Sequence, residues 1–571
     1  MKDTNVRLFL AIALWLPVWF LYEHYFGAKK PVPPPPTAVT SQLKPDSAAG
    51  TPAAPGSGSA PQAANVPRET SRPATQTVVL ETGKLHVVAT SDGAALQSIT
   101  LKGNKWTQHK GAKEAKDEIK DLVSSRAGEP LPFSTQVLGA DGKALIEPDE
   151  GYTLVKSDSL SATFQTARNG VTLVKTLTLD PQTYGVHLSV ELQSAAAIAG
   201  KLAVLAGAHA KEPAGGLLAS RSSTPTQGIC LGAKDKIERM SVGAKTALFE
   251  SPQTGFAGID EQYFLAAVLP PAGVSASCKV ETHGEKEGSL IASVIVGYQV
   301  AAGGTAKLDF GGYAGPKDGD ELGAVAKPLR ESIDWGWWQV IAELLLGVMK
   351  FFQRVVPPHN WGIAIILLTL AMKAVTFPLQ HKSMKSMQEM QRFQPQIEEL
   401  KKKYAGDTQR IGVETQKIYK EHGVNPLGSC LPMVIQMPIW FALYKTLQVS
   451  VDLYNEPFVH GWLNDLTASD PFYVLPVAMG VTMIATQILT PSPMAQPGQK
   501  TMGYAMSGFF SILMLTLPSG LTLYIFTNNV LSIIQQVYLR RTMKPPPGSA
   551  IVPVPPKKGG GGGSERAKVP A

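Results

Sequence analysis

Cysteine is scarce in this chain, and the motifs of nucleotide and metal chemistry are missing from it. Its 571 residues include three cysteines, none in a C-x-x-C pair or at a metal-ligand spacing from histidine, so we predict no metal site. Because G-x-x-x-x-G-K-[ST] is absent, the chain has no phosphate-binding loop with which to power transport by ATP. G-x-S-x-G and H-E-x-x-H are absent too, which argues against a membrane hydrolase. We therefore expect neither a cofactor nor an enzymatic activity.

The few cysteines leave a question open about the part of the chain whose composition is that of a soluble protein. Cys230 and Cys278 both fall within this part, whereas Cys430 lies in an apolar run. The first two can form a disulfide if this part lies outside the cytoplasm. Two free thiols are the equally good alternative.

Composition divides the rest of the chain into segments of different character. Period-two alternation of β-branched residues, interrupted by turn signals, predicts a large all-β domain of two packed sheets. A stretch rich in Pro, Ala and Ser precedes it and cannot bury a core. The predicted organisation is a transmembrane anchor at 1–28, a disordered tether at 29–75, a β-sandwich domain at 76–330, an interfacial amphipathic helix at 331–358, a five-span helical core at 359–540 that includes a cytoplasmic helical hairpin at 380–426, and a disordered basic tail at 541–571.

The segment 334–356 carries a narrow polar stripe on a broad, Trp-rich apolar surface. Its polar residues recur at steps of three and four, which is the period of a helix. This pattern, with Pro357 and Pro358 at the end, favours a helix that lies in the membrane interface. An ordinary transmembrane helix is the alternative.

Five apolar runs follow the anchor, and the first of them, 361–378, reads WGIAIILLTLAMKAVTFP. As a helix it would cover roughly 25 Å, most of a bilayer core. The loop at 380–426 holds nine Lys and Arg residues and the loop at 450–470 holds none. The positive-inside rule therefore places 380–426 and both termini in the cytoplasm and the β domain on the far side. The other four predicted spans are 427–447, 471–489, 502–517 and 521–539, which makes six with the anchor.

The cytoplasmic loop predicts two helices, at 383–404 and 407–422, with Asp407 as N-cap and Gly423 as the stop. An apolar stripe runs along the first of them. We interpret it as a soft, polarisable surface that receives apolar segments of other proteins, and a packed hairpin core is the alternative. The stripe consists of Met384, Met387, Met390 and Phe393.

Lys373 is the one charged residue of the first run. A lysine at such a depth costs roughly 2.5–3.5 kcal/mol on insertion scales, so it is usually kept for a use. Polar residues on the other spans favour a shared hydrophilic cavity that opens to the cytoplasm. The alternative is that the Lys373 stem snorkels to the cytoplasmic surface. The predicted polar lining is Lys373, Thr369, Gln436, Thr486, Tyr524 and Asn528.

Four long motifs resemble the YidC/Oxa/Alb family of membrane protein insertases. They are NWGIAIILLTLAMKAVTFPL, YKEHGVNPLGSCLPMVIQMPIWFALY, DPFYVLPVAMGVTM and LPSGLTLYIFTNNVLSIIQQ. The anchor, tether and β domain are similar to the Gram-negative form of the family. The resemblance implies a hydrophilic groove with a basic residue at the place of Lys373, where many members have arginine. Lysine keeps the charge but lacks the bidentate fork of arginine.

The resemblance also implies partners and a location. The protein would insert, fold and help assemble nascent membrane proteins in the bacterial inner membrane, alone or with the Sec translocon. Its hairpin and tail would contact the ribosome weakly, and its periplasmic β domain would adopt a supersandwich similar to sugar-binding folds. No small-molecule substrate is implied. Substrate helices would slide along the third and fifth spans past Pro432, Met433, Met437, Phe441, Met506, Phe510 and Met514.

Two other functions compete with insertion. The first is a small-solute transporter in which Lys373 is a substrate or proton site, but such proteins typically show internal repeats, and none is convincing here. The second is a periplasmic sugar-binding scaffold held by its membrane part. It predicts that deleting 80–310 abolishes function, whereas an insertase would tolerate the loss of much of this domain.

Overall fold

The computed structural model describes residues 73–108, 118–211, 225–232, 235–244, 248–405, 407–423, 431–489 and 497–542. The predicted anchor, nearly all of the tether and nearly all of the tail lie outside these ranges. Within them, residues 393–423 form one unit, and residues 73–392 together with the described residues from 431 onward form the other.

The second unit begins with a β domain. Its strands are β1 Thr77–Glu81, β2 Leu85–Thr90, β3 Ala95–Leu101, β4 Thr107–Gln108, β5 Glu118–Ile119, β6 Thr135–Gly139, β7 Ala144–Ile146, β8 Thr153–Ser157, β9 Ser161–Arg168, β10 Val171–Leu179, β11 Gly185–Ser194, β12 Ile198–Lys211, β13 Gln227–Leu231, β14 Ile237–Ser241, β15 Leu248–Ser251, β16 Phe256–Asp260, β17 Phe264–Leu269, β18 Ala276–His283, β19 Glu287–Val300 and β20 Thr305–Pro316.

Two large antiparallel sheets form the body of this domain. One has the order β14-β13-β16-β17-β20-β11-β10-β9-β8, and the other the order β15-β18-β19-β12-β6-β7. β16 of the first sheet packs on β12 and β19 of the second. A smaller sheet, β1-β2-β3, and the pair β4-β5 complete the domain. The period-two pattern thus gave the sandwich, because inward residues alternate with outward ones along each strand.

A disulfide joins the two large sheets. Cys230 of β13 and Cys278 of β18 are bonded, with their Cα atoms 6.4 Å apart and a sequence separation of 48. Of the two alternatives that the sequence left open, the structure therefore has the disulfide. A cross-link over a loop of this length is expected to stabilise the fold by restricting the unfolded chain.

One inward position of β10 holds a lysine in place of an apolar residue. Lys175 follows Leu173 in the inward row of the strand and is fully buried. Its Nζ donates to the carbonyl oxygens of Gly93, at 2.8 Å, and of Phe133, at 2.9 Å. The ammonium also lies 5.6 Å from the centre of the Tyr152 ring. Burial holds the pKa of Lys175 well below its ordinary value.

Nine α-helices follow in the described residues. They are α1 Gly319–Val325, α2 Gln339–Val355, α3 Trp361–Arg392, α4 Gln394–Lys403, α5 Thr408–Glu421, α6 Leu431–Val449, α7 Val474–Leu489, α8 Pro497–Leu513 and α9 Ser519–Thr542, with short 3-10 turns at Asn104–Trp106, Lys327–Ser332, Gly336–Trp338 and Val451–Leu453. Among the described helices, the stretch Trp361–Ser386 of α3 is long and apolar enough to cross a bilayer, and Val474–Leu489 and Gly503–Leu513 are shorter apolar helices.

α2 occupies most of the predicted interfacial segment, and it has a buried apolar side and an exposed apolar side. Ala342, Leu345 and Met349 are buried against the rest of the core. The exposed side chains of α2 and of the turn before it include Trp337, Val340, Leu344, Phe351 and Val355. An exposed apolar stripe beside a buried one is the arrangement expected of a helix that contacts lipid.

The β domain and the helical core meet through an ionic contact centred on Lys350 of α2. Its Nζ lies 3.2 Å from Asp318, which caps α1, and 3.1 Å from Asp452, in the segment after α6. Lys105 of the β domain adds an ion pair with Glu456 at 3.2 Å. The ring of Tyr454 packs beside Trp106 and other aromatic rings of the β domain. The predicted polar stripe of α2 thus includes a residue that joins the two regions.

Most helix boundaries differ from the sequence prediction by a few residues, and two of the differences change the arrangement of the chain. α3 continues through Pro378 and ends at Arg392, so the predicted helix at 383–404 is split between α3 and α4. The break falls at Phe393, because Pro395 is tolerated in the first turn of a new helix but clashes in a helix interior. α8 ends at Leu513, and the chain turns before α9 begins at Ser519.

Candidate functional site

The side chain of Lys373 points from α3 toward α9. Its Nζ donates a hydrogen bond to Oγ of Ser532 at 2.7 Å, and the residue is half-buried. Ser532 in turn donates to the carbonyl oxygen of Asn528, one turn earlier, at 2.7 Å. α3 and α9 run in the same direction, because they also meet near their starts. There, a Cβ added at Gly520 of α9 would lie 3.4 Å from Cδ1 of Ile365 of α3, whereas Lys373 and Ser532 meet further along both helices. Asn528, a predicted lining residue, thus contributes its backbone carbonyl oxygen to this contact, and Ser532 is a residue that the sequence interpretation did not include.

A sequence signal for Ser532 was present. Tyr524, Asn528 and Ser532 are spaced by four residues, which places them on one face of a helix. The sequence interpretation included the first two and stopped there. Following the same period for one more turn would have found the third.

Gln436 and Tyr524 form a second polar contact in the core. Nε2 of Gln436 lies 3.5 Å from the hydroxyl of Tyr524, so α6 meets α9 through a long hydrogen bond. Only 2% of the Tyr524 surface is exposed. Since Tyr524 lies two turns before Ser532 on α9, the two polar contacts follow the same face of that helix.

Thr369 and Thr486 are satisfied within their own helices. The Thr369 hydroxyl, which is buried, donates to the carbonyl oxygen of Ile365 at 2.7 Å. The Thr486 hydroxyl donates to the carbonyl oxygen of Thr482 at 2.8 Å. Both hydroxyls keep an acceptor lone pair, so they can still accept a hydrogen bond.

A separate polar contact joins α7 to α8. Nε2 of Gln487 donates to the carbonyl oxygen of Gly503 and to Oγ of Ser507, both at 2.8 Å. α7 meets α9 as well, because Nδ2 of Asn529 lies 3.5 Å from the Thr482 hydroxyl. Thr486 therefore lies on the α7 side of the core, one turn from a residue that contacts α9.

The predicted slide residues differ in accessibility. Met506 of α8 is exposed, Phe510 and Met437 are half-buried, and Phe441 and Met514 are buried. Pro432 and Met433 belong to α6, but their side chains lie outside the described part of the chain. On α7, an exposed apolar row consists of Val477, Val481, Ile484 and Ile488.

The methionines of the predicted hairpin stripe lie on the last turns of α3. Met384 is half-buried and Met390 is buried. The side chain of Met387 is outside the described residues, and Phe393 lies at the break before α4.

The hairpin unit itself, α4 and α5, has the predicted caps. Asp407 accepts a hydrogen bond from the Arg410 amide at 3.0 Å, and Gly423 has a φ of +67° after the end of α5. Ile397 and Tyr419 form its buried interior. The Phe393 and His422 rings lie 4.4 Å apart.

No group of three or more His, Cys, Asp or Glu side chains that could hold a metal ion occurs within the described ranges. The acidic residues that do lie close to cations are engaged in ion pairs such as those around Lys350.

Comparisons with known proteins decide the family. A family model described as "60Kd inner membrane protein" matches residues 351–546, and one described as "YidC periplasmic domain" matches residues 77–348. A protein of Anaeromyxobacter sp. (strain Fw109-5), named "Membrane protein insertase YidC", is 40% identical over 468 residues, which are 80% of this chain and 82% of that protein. The chain belongs to the YidC family of membrane protein insertases. A relative from Pelobacter propionicus with the same name is 33% identical over 565 residues, covering 94% of this chain and 99% of the relative.

Solved structures give weaker similarities. The crystal structure titled "Active YidC insertase crystal structure with the first transmembrane domain resolved" is 18% identical, with a TM-score of 0.35, and covers 81% of this chain and 92% of that one. A galactose mutarotase related enzyme from Lactobacillus acidophilus is 9% identical, with a TM-score of 0.28, over 42% of this chain and 97% of that one. Neither match assigns a fold or a ligand here.

Membership in the YidC family confirms the expectation of an insertase in the inner membrane. It assigns the chain to a family named for membrane insertion and not for an enzymatic reaction. The β domain corresponds to the family's periplasmic domain.

Proposed function

We propose that this chain inserts nascent membrane proteins by attracting their acidic tails to Lys373 in a hydrophilic groove between α3, α6 and α9. The observation that carries the proposal is the position of Lys373, whose Nζ lies on Ser532 of a neighbouring helix, 2.7 Å away. A polar layer partway into the bilayer shortens the apolar path that a hydrophilic tail has to cross. The emerging apolar helix then leaves for lipid, gaining about 25 cal/mol per Å2 of apolar surface removed from water.

The charge of Lys373 is available for a substrate. Helices α6, α7, α8 and α9 contain no Asp or Glu, and the one acidic residue of α3, Glu389, lies sixteen positions beyond Lys373. In a medium of low dielectric constant, an ammonium without a neighbouring carboxylate attracts an incoming acidic group strongly. The substrate's own carboxylate then supplies the counter-charge.

The groove would work within a particular topology and assembly. In this proposal the chain crosses the membrane six times, with both termini in the cytoplasm and the β domain in the periplasm. Substrate helices leave past Met437, Met506 and Phe510, the accessible members of the predicted slide. The Sec translocon and the ribosome are proposed partners, the latter through the basic hairpin and tail.

A charge series at Lys373 tests the groove. Full-length protein in proteoliposomes would receive a single-span substrate whose translocated tail carries two Asp residues, or two Asn residues in a matched substrate. We expect Lys373→Arg to keep insertion of the Asp substrate, and Lys373→Ala or Lys373→Glu to lower it by at least about tenfold. A loss of this size is compatible with the ~4 kcal/mol by which two close charges attract each other at intermediate dielectric constant.

Lys382→Ala is the matched control, because Lys382 lies on the same helix but is exposed. Protection of the tail from protease measures insertion. Equal insertion of the Asp substrate by the wild type and by the Arg, Ala and Glu variants of Lys373 would overturn the electrostatic role. Unaffected insertion of the Asp substrate in protein-depleted vesicles would overturn the insertase function itself.

A further inference from the structure

The contact of Lys373 contains a second residue with a definite hydrogen-bonding role. Ser532 has one hydroxyl proton, and it points to the carbonyl oxygen of Asn528, 2.7 Å away. Its oxygen therefore presents a lone pair to Nζ of Lys373, also at 2.7 Å. The hydroxyl is oriented by its own helix to receive a cation from another helix.

A lysine needs such an acceptor more than an arginine does. Its ammonium is a point charge on a flexible four-carbon stem, and the stem can carry the charge along the helix to the nearest water. Lys373 lies five residues before Pro378, where the apolar run 361–378 ends, or about 7 Å by helical rise, so its stem can extend toward the polar residues that follow on α3. A partner on α9 opposes this displacement, because it holds the ammonium against a different helix.

The chemistry of the partner matters as well. A carboxylate at position 532 would hold the ammonium but neutralise it. A hydroxyl holds it by a hydrogen bond and leaves its charge in place. Position and charge are therefore supplied by two different residues.

We propose that Ser532 is a positioning residue that keeps the Lys373 ammonium within the groove, ready to receive a carboxylate of the substrate. This inference rests on the groove function proposed above. In this proposal, α9 determines whether the Lys373 ammonium lies in the groove or at the membrane surface.

A double-mutant cycle tests it with the same two substrates and full-length protein in proteoliposomes. We expect Ser532→Ala to lower insertion of the Asp substrate by roughly tenfold, as for a lost hydrogen bond to a charged group, and to leave the Asn substrate unchanged. Ser532→Thr keeps the hydroxyl and should restore insertion. In the Lys373→Ala background, Ser532→Ala should add nothing.

Ser511→Ala is the matched control, because that hydroxyl makes the same back-bond to the preceding turn, at 2.9 Å, on α8. Ser532→Cys, which keeps the size of the side chain but bonds weakly, separates a packing defect from a lost hydrogen bond and should behave as Ser532→Ala does.

Four results would overturn the positioning role. Equal loss with both substrates, or loss that persists in the Lys373→Ala background, would show a packing defect. Full insertion by Ser532→Ala while Lys373→Ala is impaired would overturn the positioning role and leave the groove intact. Full insertion of the Asp substrate by Lys373→Ala would overturn both.

Discussion

Lys175 and Lys373 are two lysines withdrawn from water, one in each of the two main regions of the described chain. Lys175 is fully buried between the sheets of the β domain, whereas Lys373 is half-buried among the helices of the core. Lys175 donates to two backbone carbonyl groups, and within the described residues Lys373 donates to a single side-chain hydroxyl. The same residue type thus has two different environments.

The difference lies in what each partner leaves free. The carbonyl oxygens of Gly93 and Phe133 are fixed by the fold, and the Tyr152 ring covers the same ammonium. No surface is left from which a ligand could approach Lys175. A buried lysine is therefore no sign of function by itself, and the chemistry and mobility of its partners separate a structural lysine from one that binds a substrate.

Exchanging the two lysines for apolar residues sharpens the comparison most. Lys175→Ala should destabilise the β domain by about 2–5 kcal/mol, because it leaves a cavity and two unpaired carbonyl groups. Amide hydrogen exchange of β10 in the full-length protein measures this loss. Insertion per folded molecule should stay near the wild-type value.

Lys175→Met is the control for volume, since it fills the space but makes no hydrogen bond. It should recover the cavity part of the loss only. Wild-type protection of β10 in Lys175→Ala, or insertion that falls as steeply as in Lys373→Ala, would remove the distinction between the two lysines.

Sequence reasoning fared differently in the two regions for a physical reason. In the β domain, the period of two predicted the sandwich, but Lys175 occupies an inward position of β10 as an ordinary member of the alternation. Its partners, Gly93 and Phe133, are far away in sequence, so only the fold brings them together. The disulfide likewise stayed open until β13 and β18 were seen to face each other.

In the helical core, the polarity of the span was enough to single out Lys373, because a charge in an apolar run is visible in one dimension. The period of four on α9 held Ser532 as well. The sequence did not predict the ionic contact between the β domain and the helical core, since Lys350, Asp318 and Asp452 lie in three separate segments. Nor did it predict that α3 runs through Pro378, because one lost hydrogen bond does not end a helix that its neighbours support.

Removing the ionic contact around Lys350 tests whether the β domain and the helical core act independently. Burial by itself would raise the pKa of Asp318, but the attraction of Lys350 and the hydrogen bonds from the Asp320 and Glu321 amides together lower it. Lys350 also pairs with Asp452. Lys350→Met leaves two carboxylates close together without a cation. We expect protection at the junction to fall by about 1–3 kcal/mol, the cost of a partly buried charged group without its partner.

Hydrogen exchange around Asp452 and α1 measures this change in the reconstituted protein. Asp318→Asn in the Lys350→Met background should recover part of the loss by removing one of the two like charges. Insertion of the Asp substrate should respond less than it does to Lys373→Ala. A loss of insertion as large as that of Lys373→Ala would show that the ionic contact around Lys350 takes part in insertion.

The smallest effect is expected from a fourth cation, His209, on the surface of the β domain. His209 of β12 contacts Glu129 at 2.8 Å through Nδ1 and Glu287 at 3.0 Å through Nε2. The hydrogen bonds to Glu129 and Glu287 raise the pKa of His209 above 6.5, while nearby Arg126 opposes them. Both ring nitrogens face carboxylates, so the charged imidazolium is the form that fits.

Because the folded pKa is raised, the stabilisation by His209 is complete below about pH 6.5, the unfolded value, and is lost as pH rises through the higher folded pKa. Exchange at β12 and β19 should therefore speed up more between pH 6 and pH 8 in the wild type than in His209→Gln, after correction for intrinsic exchange rates. High salt should shrink the difference, since these groups lie near the surface. An identical pH dependence in both proteins would show that the two carboxylates do not hold the imidazolium, and the contrast would then lie between Lys175 and Lys373 alone.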